Sequence, residues 1–379
     1  MSRELELLER LVAFPTISDQ SNLDLIDWAQ NLLQEAGFHT TRIPASDPKK
    51  AGLHAIVGPR QSGGICLSAH TDVVPVKGQN WTRAPFSLTR EGPHVYGRGT
   101  TDMKGFLACA LAAAERMKNH EIQRPLSLLL SYDEEIGCVG LSEMLPHLRG
   151  LLAEPELVLV GEPTSMQIAT GHKGKTAYKV TCRGEAGHSA LSPLFVNAIH
   201  LAARFVEEIR ALQSELSACK GDRSYKIPYS TVHIGRINGG RALNIVPDLV
   251  SLDMEVRHLA QTAASDVFEK LSTAAERVCA AEGCTDAIKI EPAASYPGLD
   301  HDPKSSSVAL LRAATGGSST TKVPFGTEAG FFAELGLNAV VVGPGDMAAH
   351  GHKPDEKIAI GEIESCADML DKLLLHLTN

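Results

Sequence analysis

Short apolar runs alternate with amphipathic stretches along the first half of the chain. Runs typical of buried strands cover residues 53–57, 65–68, 126–131 and 157–160, and helical spacing of apolar residues covers 103–117. Strands that alternate with helices in this way form sheets with helices on both faces, and these sheets are largely parallel. The pattern therefore predicts an α/β domain built on a mixed, mostly parallel sheet.

The middle of the chain has a different order of predicted strands and helices. Predicted strands at 177–182, 231–237, 249–256 and 288–290 flank predicted helices at 196–212 and 263–281. The order β-α-β-β-α-β is that of a ferredoxin-like α+β sandwich. After residue 295 the first pattern returns, with a strand at 339–342 and a closing helix at 362–377. We therefore expect a discontinuous outer domain (1–175 and 291–379) that carries an inserted domain (176–290).

Composition narrows the class of protein. A chain of 379 residues with 43% hydrophobic and 21% charged residues suits a two-domain globular protein without a bilayer-spanning segment. The net charge of −9 comes with no basic stripe, so a nucleic-acid partner is not expected. The eight cysteines form no CxxC pair, so we expect them to be reduced thiols. The charged N-terminal segment does not resemble a secretory signal, so the expected location is the cytoplasm.

Acidic and histidine side chains follow several of the predicted strands. His70 and Asp72 come after the run 65–68, and a spacing of two on extended backbone points both side chains to one side. Asp102 precedes the predicted helix 103–117, where an N-cap is the ordinary alternative. Glu134 and Glu135 follow the run 126–131, within three consecutive acids that repel one another unless they share a cation or a proton.

Two further strands end in the same kind of residue. Glu162 follows the run 157–160, and His350 and His352 follow the strand 339–342. Each alone reads as an ordinary loop residue, but open α/β sheets hold their ligands at the carboxyl ends of their strands. Imidazoles and carboxylates without thiolates favour Zn, with Co or Mn possible. The set is large enough for two metal ions if Asp102 bridges them.

The chain also resembles a known family over essentially its whole length, namely the co-catalytic di-zinc amidohydrolases that include aminoacylases, desuccinylases and glutamate carboxypeptidases. The resemblance rests on motifs in the family's order: SAHTDVVPV, YGRGTTDMKG, SYDEEIGCVG, VGEPT, GHKGK, GHSA, ALNIVPD, GTEAG and HKPDE. Two departures are the second histidine in the last motif and Arg241 where a small residue is usual.

The resemblance implies roles for the candidate residues. One zinc is expected on His70, Asp102 and Glu162, and a second on Asp102, Glu135 and His352, with Co as a possible substitute. Glu134 matches the family's general base, and Asp72 the residue that supports His70. His352 is preferred as the last ligand because Lys-Pro-Asp follows it in register, and His350 stays the alternative.

In this family the inserted domain is a lid through which two subunits form a homodimer. His188 is expected to reach the partner subunit's active site and to help hold the oxyanion. Asn244 matches a lid residue near the substrate, and Arg257 matches one that grips a substrate carboxylate. The alternative is that His188 is a surface-loop histidine and that the other two residues are structural.

The resemblance further implies hydrolysis of the amide of an N-acyl amino acid. N2-acetyl-L-ornithine, cleaved to ornithine and acetate in arginine biosynthesis, is the expected substrate. Succinyl-diaminopimelate or a broad range of N-acyl amino acids is the alternative. Glu328 is the candidate partner for the ornithine ammonium group, unless it caps the helix that begins near Ala329. A metal-containing binding protein without catalysis is a further alternative, against which the presence of Glu134 argues.

Overall fold

The computed structural model describes residues 1–378, and its contacts divide them into two compact units. The first unit contains Met1–His172 and the residues from Leu299 onward, and the second is Lys173–Gly298. None of the helices in residues 1–378 has both the length and the apolar character needed to cross a bilayer.

The described residues contain ten α-helices and eighteen strands. The helices are α1 (Arg3–Val12), α2 (Leu23–Glu35), α3 (Lys104–Met117), α4 (Val139–Leu151), α5 (Ala198–Ala218), α6 (Ala264–Ala281), α7 (Ser306–Ala314), α8 (Ala329–Glu334), α9 (Met347–His350) and α10 (Ile360–Leu374). The strands of the first unit are β1 (His39–Pro44), β2 (Ala51–Val57), β3 (Ile65–His70), β4 (Thr89–Glu91), β5 (His94–Tyr96), β6 (Leu126–Ser131), β7 (Leu157–Val160), β8 (Ile168–His172), β15 (Leu299–Asp300), β16 (Thr320–Val323), β17 (Ala339–Val341) and β18 (Lys357–Ala359). The strands of the second unit are β9 (Gly174–Arg183), β10 (Gly187–His188), β11 (Thr231–Gly239), β12 (Ile245–Val246), β13 (Leu249–His258) and β14 (Ile288–Tyr296).

The main sheet of the first unit is mixed, and its central strands are parallel. Its order is β1-β2-β6-β3-β7-β17-β8-β15, and β16 pairs with β8. The strands β6, β3, β7 and β17 run parallel to their neighbours in this group, whereas β1 and β2 are antiparallel. The carboxyl ends of four adjacent strands therefore meet at one edge of the sheet. The predicted α/β class is confirmed.

Helix α3 is buried at the centre of the first unit. Its sequence is small and apolar on every side, which is typical of a helix covered all round. It contacts α1, α10 and β3. Residue Asp102 directly precedes this helix, so a buried element fixes the position of that carboxylate.

The second unit has the strand and helix order β9-α5-β11-β13-α6-β14, and its antiparallel sheet has the order β11-β13-β9-β14. This is the ferredoxin-like arrangement. Apolar residues of the sheet and of both helices form its core. A separate two-stranded pairing joins β10 to β12 and brings His188 opposite Ile245.

Candidate metal centre and active site

Three buried side chains form the first group that could hold a metal ion. His70 is the last residue of β3, Asp102 precedes α3, and Glu162 follows β7. The Nε2 atom of His70 lies 3.1 Å from Oδ1 of Asp102 and 3.7 Å from Oε1 of Glu162. One ligand atom from each residue lies within 4.8 Å of the others, which is close enough for one shared ion.

The second group shares Asp102 with the first. The Nε2 atom of His352 lies 3.0 Å from Oδ2 of Asp102 and 2.9 Å from Oε2 of Glu135. Asp102 thus turns one carboxylate oxygen toward each group. In the part of the chain that the structure describes, His350 belongs to neither group. It ends the short helix α9, two residues before His352.

The electrostatics of both groups favour a bound cation. Burial, together with neighbouring carboxylates, raises the pKa of Glu135 to about 8 and also raises the pKa of Glu162. Hydrogen bonds to Asp102 and Glu135 raise the pKa of His352 to about 10. The Oε1 atom of Glu135 is buried and has no hydrogen-bond partner in the protein. Divalent metal ions fit this oxygen- and nitrogen-rich site, since they would relieve the repulsion and satisfy that atom.

Asp72 holds the loop that carries the two glutamates. Its carboxylate accepts hydrogen bonds from the main-chain N–H groups of Glu134 (3.1 Å) and Glu135 (3.2 Å) and from the hydroxyl of Ser18 (2.8 Å). The Nδ1 atom of His70 is closer to the main-chain oxygen of Asp72 (3.0 Å) than to its carboxylate (3.5 Å). Asp72 therefore orients His70 largely through its main chain, and its carboxylate orients the glutamate loop.

Glu134 lies beside the two groups but belongs to neither. Desolvation of its carboxyl group, reinforced by nearby carboxylates, raises the pKa of Glu134 to about 8. The thiol of Cys138 lies 3.3 Å from its Oε1 atom. A buried carboxyl group with a raised pKa that belongs to neither ligand group is suited to accept and return a proton.

Glu328 is buried against the same end of the sheet. It is 1% exposed, and its Oε2 atom accepts a hydrogen bond of 2.9 Å from Ser131, the last residue of β6. Its Oε1 atom has no partner in the protein, and burial raises the pKa of Glu328 to about 7. Glu328 occupies the N-cap position of α8, but its side chain makes no capping hydrogen bond. The capping alternative therefore does not explain this carboxylate.

The remaining candidates lie in the second unit. His188 is exposed, and its Nδ1 atom accepts a hydrogen bond of 3.1 Å from the main-chain N–H of Ala190. In the neutral ring, Nε2 then carries the proton and is a donor. Asn244 is also exposed, and its main-chain oxygen accepts a hydrogen bond from Ser189, which brings Asn244 next to His188.

Arg257 has partners within its own unit. Its guanidinium donates to the Tyr296 hydroxyl (2.6 Å) and to Glu255 (3.0 Å). Lys175 is its cross-strand neighbour and pairs with the same glutamate at 3.3 Å. Arg257, Lys175 and Glu255 together carry a net positive charge. This charge is suited to binding a further carboxylate.

Several supporting residues were not predicted from the sequence. Lys50 donates to both carboxylate oxygens of Asp133 and to the main-chain oxygen of Ser18, and it is almost fully buried. Asp133 adopts a left-handed backbone conformation (φ 53°) directly before the two glutamates. Lys50 belongs to a polar Lys-Lys pair, and such a pair does not indicate that one of the two lysines is buried.

Comparisons with known proteins identify the family of the chain. Residues 66–376 match the model of peptidase family M20/M25/M40. The chain is 32% identical over 384 residues to the acetylornithine deacetylase of Yersinia pseudotuberculosis, covering 98% of this chain and 97% of that protein. It is 33% identical over 374 residues to the acetylornithine deacetylase of Myxococcus xanthus, covering 97% and 96%.

Solved structures share the fold at lower identity. A metallo-carboxypeptidase of the M20 family from Sulfolobus solfataricus superposes with a TM-score of 0.80 at 21% identity, covering 99% of both chains. A dinuclear metal binding peptidase of the same family from Bacillus subtilis gives a TM-score of 0.72 at 16% identity, covering 99% of this chain and 98% of that one.

The chain belongs to peptidase family M20/M25/M40. The predicted family is confirmed, and so is the prediction of a metal-dependent hydrolase.

Proposed function

We propose that the protein hydrolyses the amide of N2-acetyl-L-ornithine to ornithine and acetate, a step of arginine biosynthesis, with two divalent metal ions. The observation that carries the proposal is the pair of ligand groups joined by Asp102, with the non-ligand Glu134 beside them. The substrate follows from the relatives named acetylornithine deacetylase, which align over nearly the full length of this chain. The cytoplasmic location stays a prediction.

His70, Asp102 and Glu162 are proposed to hold one ion, and Asp102, Glu135 and His352 the other. Zn suits this mixture of imidazoles and carboxylates, and Co is a possible substitute. When bound, such ions polarise an amide carbonyl and bring the pKa of water toward neutrality.

Glu134 is the proposed general base and acid. Its carboxylate takes a proton from the attacking water and returns it to the departing amine nitrogen, which is a poor leaving group as an anion. The loop contacts of Asp72 described above keep Glu134 in place for both transfers. The raised pKa of Glu134 suits a group that both accepts and returns a proton.

We propose that His188 completes the site of a partner subunit in a homodimer. Its Nε2 donor is suited to hold the oxyanion that develops on the carbonyl oxygen. Leu191, Leu194 and Leu243 near it are 52%, 73% and 100% exposed. Apolar side chains exposed together on a globular unit support an interface with a second copy.

Action of His188 across a dimer predicts complementation between two inactive variants. Mixing equal amounts of His188→Ala and Glu134→Gln subunits should restore about one quarter of wild-type activity, because half of the randomly formed dimers are mixed and each keeps one intact site. The measurement is the rate of amine release after subunit exchange, which differently tagged subunits can verify. Proven exchange without recovered activity would exclude action in trans.

Asn244 and Arg257 are the proposed contacts to the substrate in the second unit. A guanidinium binds a carboxylate through two parallel N–H bonds, and Lys175 adds a second positive charge beside it. The α-carboxylate of an N-acyl amino acid is a suitable partner. Asn244 lies beside His188, where an amide can hydrogen-bond the same substrate.

Glu328 is proposed to pair with the side-chain ammonium of ornithine. Acetylation removes the charge of the α-amine, so the substrate keeps one carboxylate and one distant ammonium group. The unpartnered Oε1 atom of Glu328 offers a buried acceptor next to the metal-binding edge of the sheet. A hydrogen bond to a charged group contributes roughly 1.5–3 kcal/mol.

Glu328→Gln is expected to lower kcat/KM for acetylornithine about 10- to 100-fold, from that energy scale. It should barely affect acetylmethionine, which carries no ammonium group. Ser131→Ala removes the hydroxyl partner of Glu328 but keeps the carboxylate, so it serves as the control and should retain the preference for acetylornithine. Equal losses on both substrates in the Glu328 variant would assign this residue to the architecture of the site.

A substrate panel tests the proposed function. Zinc-loaded protein is incubated with acetylornithine, succinyl-diaminopimelate and acetylmethionine, and the released amine is measured. We expect the highest kcat/KM for acetylornithine. A higher value for succinyl-diaminopimelate, or similar values for all three, would replace the proposed substrate by the corresponding alternative. No turnover of any N-acyl amino acid would favour a metal-containing binding protein.

A further inference from the structure

A buried ion pair contacts the segment that carries Asp102, a member of the second group. Arg98 and Glu356 are each 1% exposed, and Nη1 of Arg98 lies 2.6 Å from Oε2 of Glu356. Neither residue belongs to a metal-binding group. Two charges removed from water are costly unless each finds partners, so the remaining contacts of the pair indicate what it supports.

Glu356 holds the main chain of the shared ligand. Its Oε1 atom accepts hydrogen bonds from the N–H groups of Thr101 (2.9 Å) and Asp102 (3.1 Å). The main-chain oxygen of Glu356 also accepts from Gly97 at 2.9 Å. The segment before α3 is therefore fixed to the segment that follows His352.

Arg98 extends the contacts to the other side of His352. Its Nη2 atom donates to the side-chain oxygen of Gln79, and the Gln79 amide donates to the main-chain oxygen of His352 at 2.8 Å. The ring of Trp81 lies 5.0 Å from the guanidinium carbon of Arg98, and its indole N–H donates to Gln79 at 3.0 Å. Gln79 thus connects the buried pair to a metal-ligand residue.

His352 needs such support more than the other histidine does. Its side chain is 44% exposed, whereas that of His70 is 1% exposed. The backbone of His352 adopts the left-handed conformation (φ 60°). Residues other than glycine rarely adopt it unless the surrounding structure holds them there. Packing holds His70 in place at the end of β3. His352 is less buried, so its position depends more on hydrogen bonds to its own main chain.

We propose that Gln79, held by the buried pair of Arg98 and Glu356, is a positioning residue that sets the affinity of the group Asp102, Glu135 and His352 for its metal ion. The inference rests on the proposed function only in taking the two groups as metal sites. Gln79 contacts His352 alone among the ligands, so its removal acts on this group and spares His70 and Glu162. Outer contacts that orient a ligand typically change metal affinity 10- to 100-fold.

The test is a zinc titration of metal-free protein against a competing chelator, which gives the two stepwise dissociation constants. Gln79→Ala should weaken one of them about 10- to 100-fold and leave the other within about threefold. Gln79→Glu keeps an acceptor for Arg98 but lacks the donor to His352, so it should show the same selective loss. Gln61→Ala removes a comparable amide contact, from the Gln61 side chain to the main-chain oxygen of Gln123, and is the matched control expected to leave both constants unchanged.

Thermal unfolding of each metal-free variant separates positioning from general damage. Selective loss of one ion with an unchanged Tm supports the proposal. Unchanged constants, or equal weakening of both ions together with a lower Tm, would overturn it. Binding of fewer than two ions by the wild-type protein would contradict the proposed function. The wild-type titration tests this point before any variant is compared.

Discussion

Glu134→Gln is expected to lower kcat by about 10²–10⁴, the usual contribution of a positioned general base. The amide has almost the shape of the carboxylate but cannot accept the proton of the attacking water. Both metal ions should stay bound, since Glu134 belongs to neither ligand group. Steady-state rates of ornithine release and elemental analysis of the same sample measure the two quantities.

Glu135→Gln is the matched control for this prediction. It lies one residue further along the same loop and carries the same change, but its Oε2 atom contacts His352. The change should therefore weaken the binding of one metal ion. Loss of a metal ion in the Glu134 variant and retention of both in the Glu135 variant would require the two roles to be exchanged.

Asp102→Ala is expected to have the largest effect on metal binding. Asp102 is the residue common to the two ligand groups, with Oδ1 directed to His70 and Oδ2 to His352. Its removal should release both ions and lower kcat at least ~10³-fold, since metal polarisation contributes several kcal/mol and each 1.36 kcal/mol is a factor of ten. Metal content per chain after gel filtration, together with the rate of amine release, measures this.

Glu162→Gln gives the comparison for Asp102. Glu162 belongs to the first group only. The change should therefore weaken the binding of one ion and leave the other ion bound. Loss of a single ion from Asp102→Ala would contradict the bridging role. Retention of both ions by that variant would contradict the assignment of Asp102 as a ligand.

The central fold and the candidate ligands could be predicted because both depend on local sequence patterns. Apolar runs marked the central strands, and two of them, 126–131 and 157–160, coincide with the observed β6 and β7. Because parallel strands place their carboxyl ends at one edge, acids and histidines that follow different strands were expected to meet there. The structure brings His70, Asp102 and Glu162 close to one another, and their role as metal ligands stays a prediction.

Edge strands were harder to predict. The strand β1 is mostly exposed, so its residues do not alternate between apolar and polar. The three-stranded sheet of β4, β5 and β18 joins segments more than 250 residues apart in sequence, through three-residue strands too short to show a period. Local periodicity carries no information on such pairings.

Side-chain pairs distant in sequence were equally hidden. Arg98 and Glu356 each stand in a polar motif and read as ordinary solvated charges until the fold buries them against each other. The contacts of Arg257 with Glu255 and Tyr296 were also not predicted, because they depend on the register of three strands. The expected role of Arg257 at the substrate carboxylate remains a prediction.

The most direct test of a two-metal amidohydrolase is a metal add-back titration of chelator-treated protein. Zinc is added stepwise, and ornithine released from N2-acetyl-L-ornithine is measured at each ratio of metal to chain. We expect no turnover without metal, and activity that rises until both ligand groups, His70–Asp102–Glu162 and Asp102–Glu135–His352, are filled at about two ions per chain. Full turnover by rigorously metal-free protein would contradict this account.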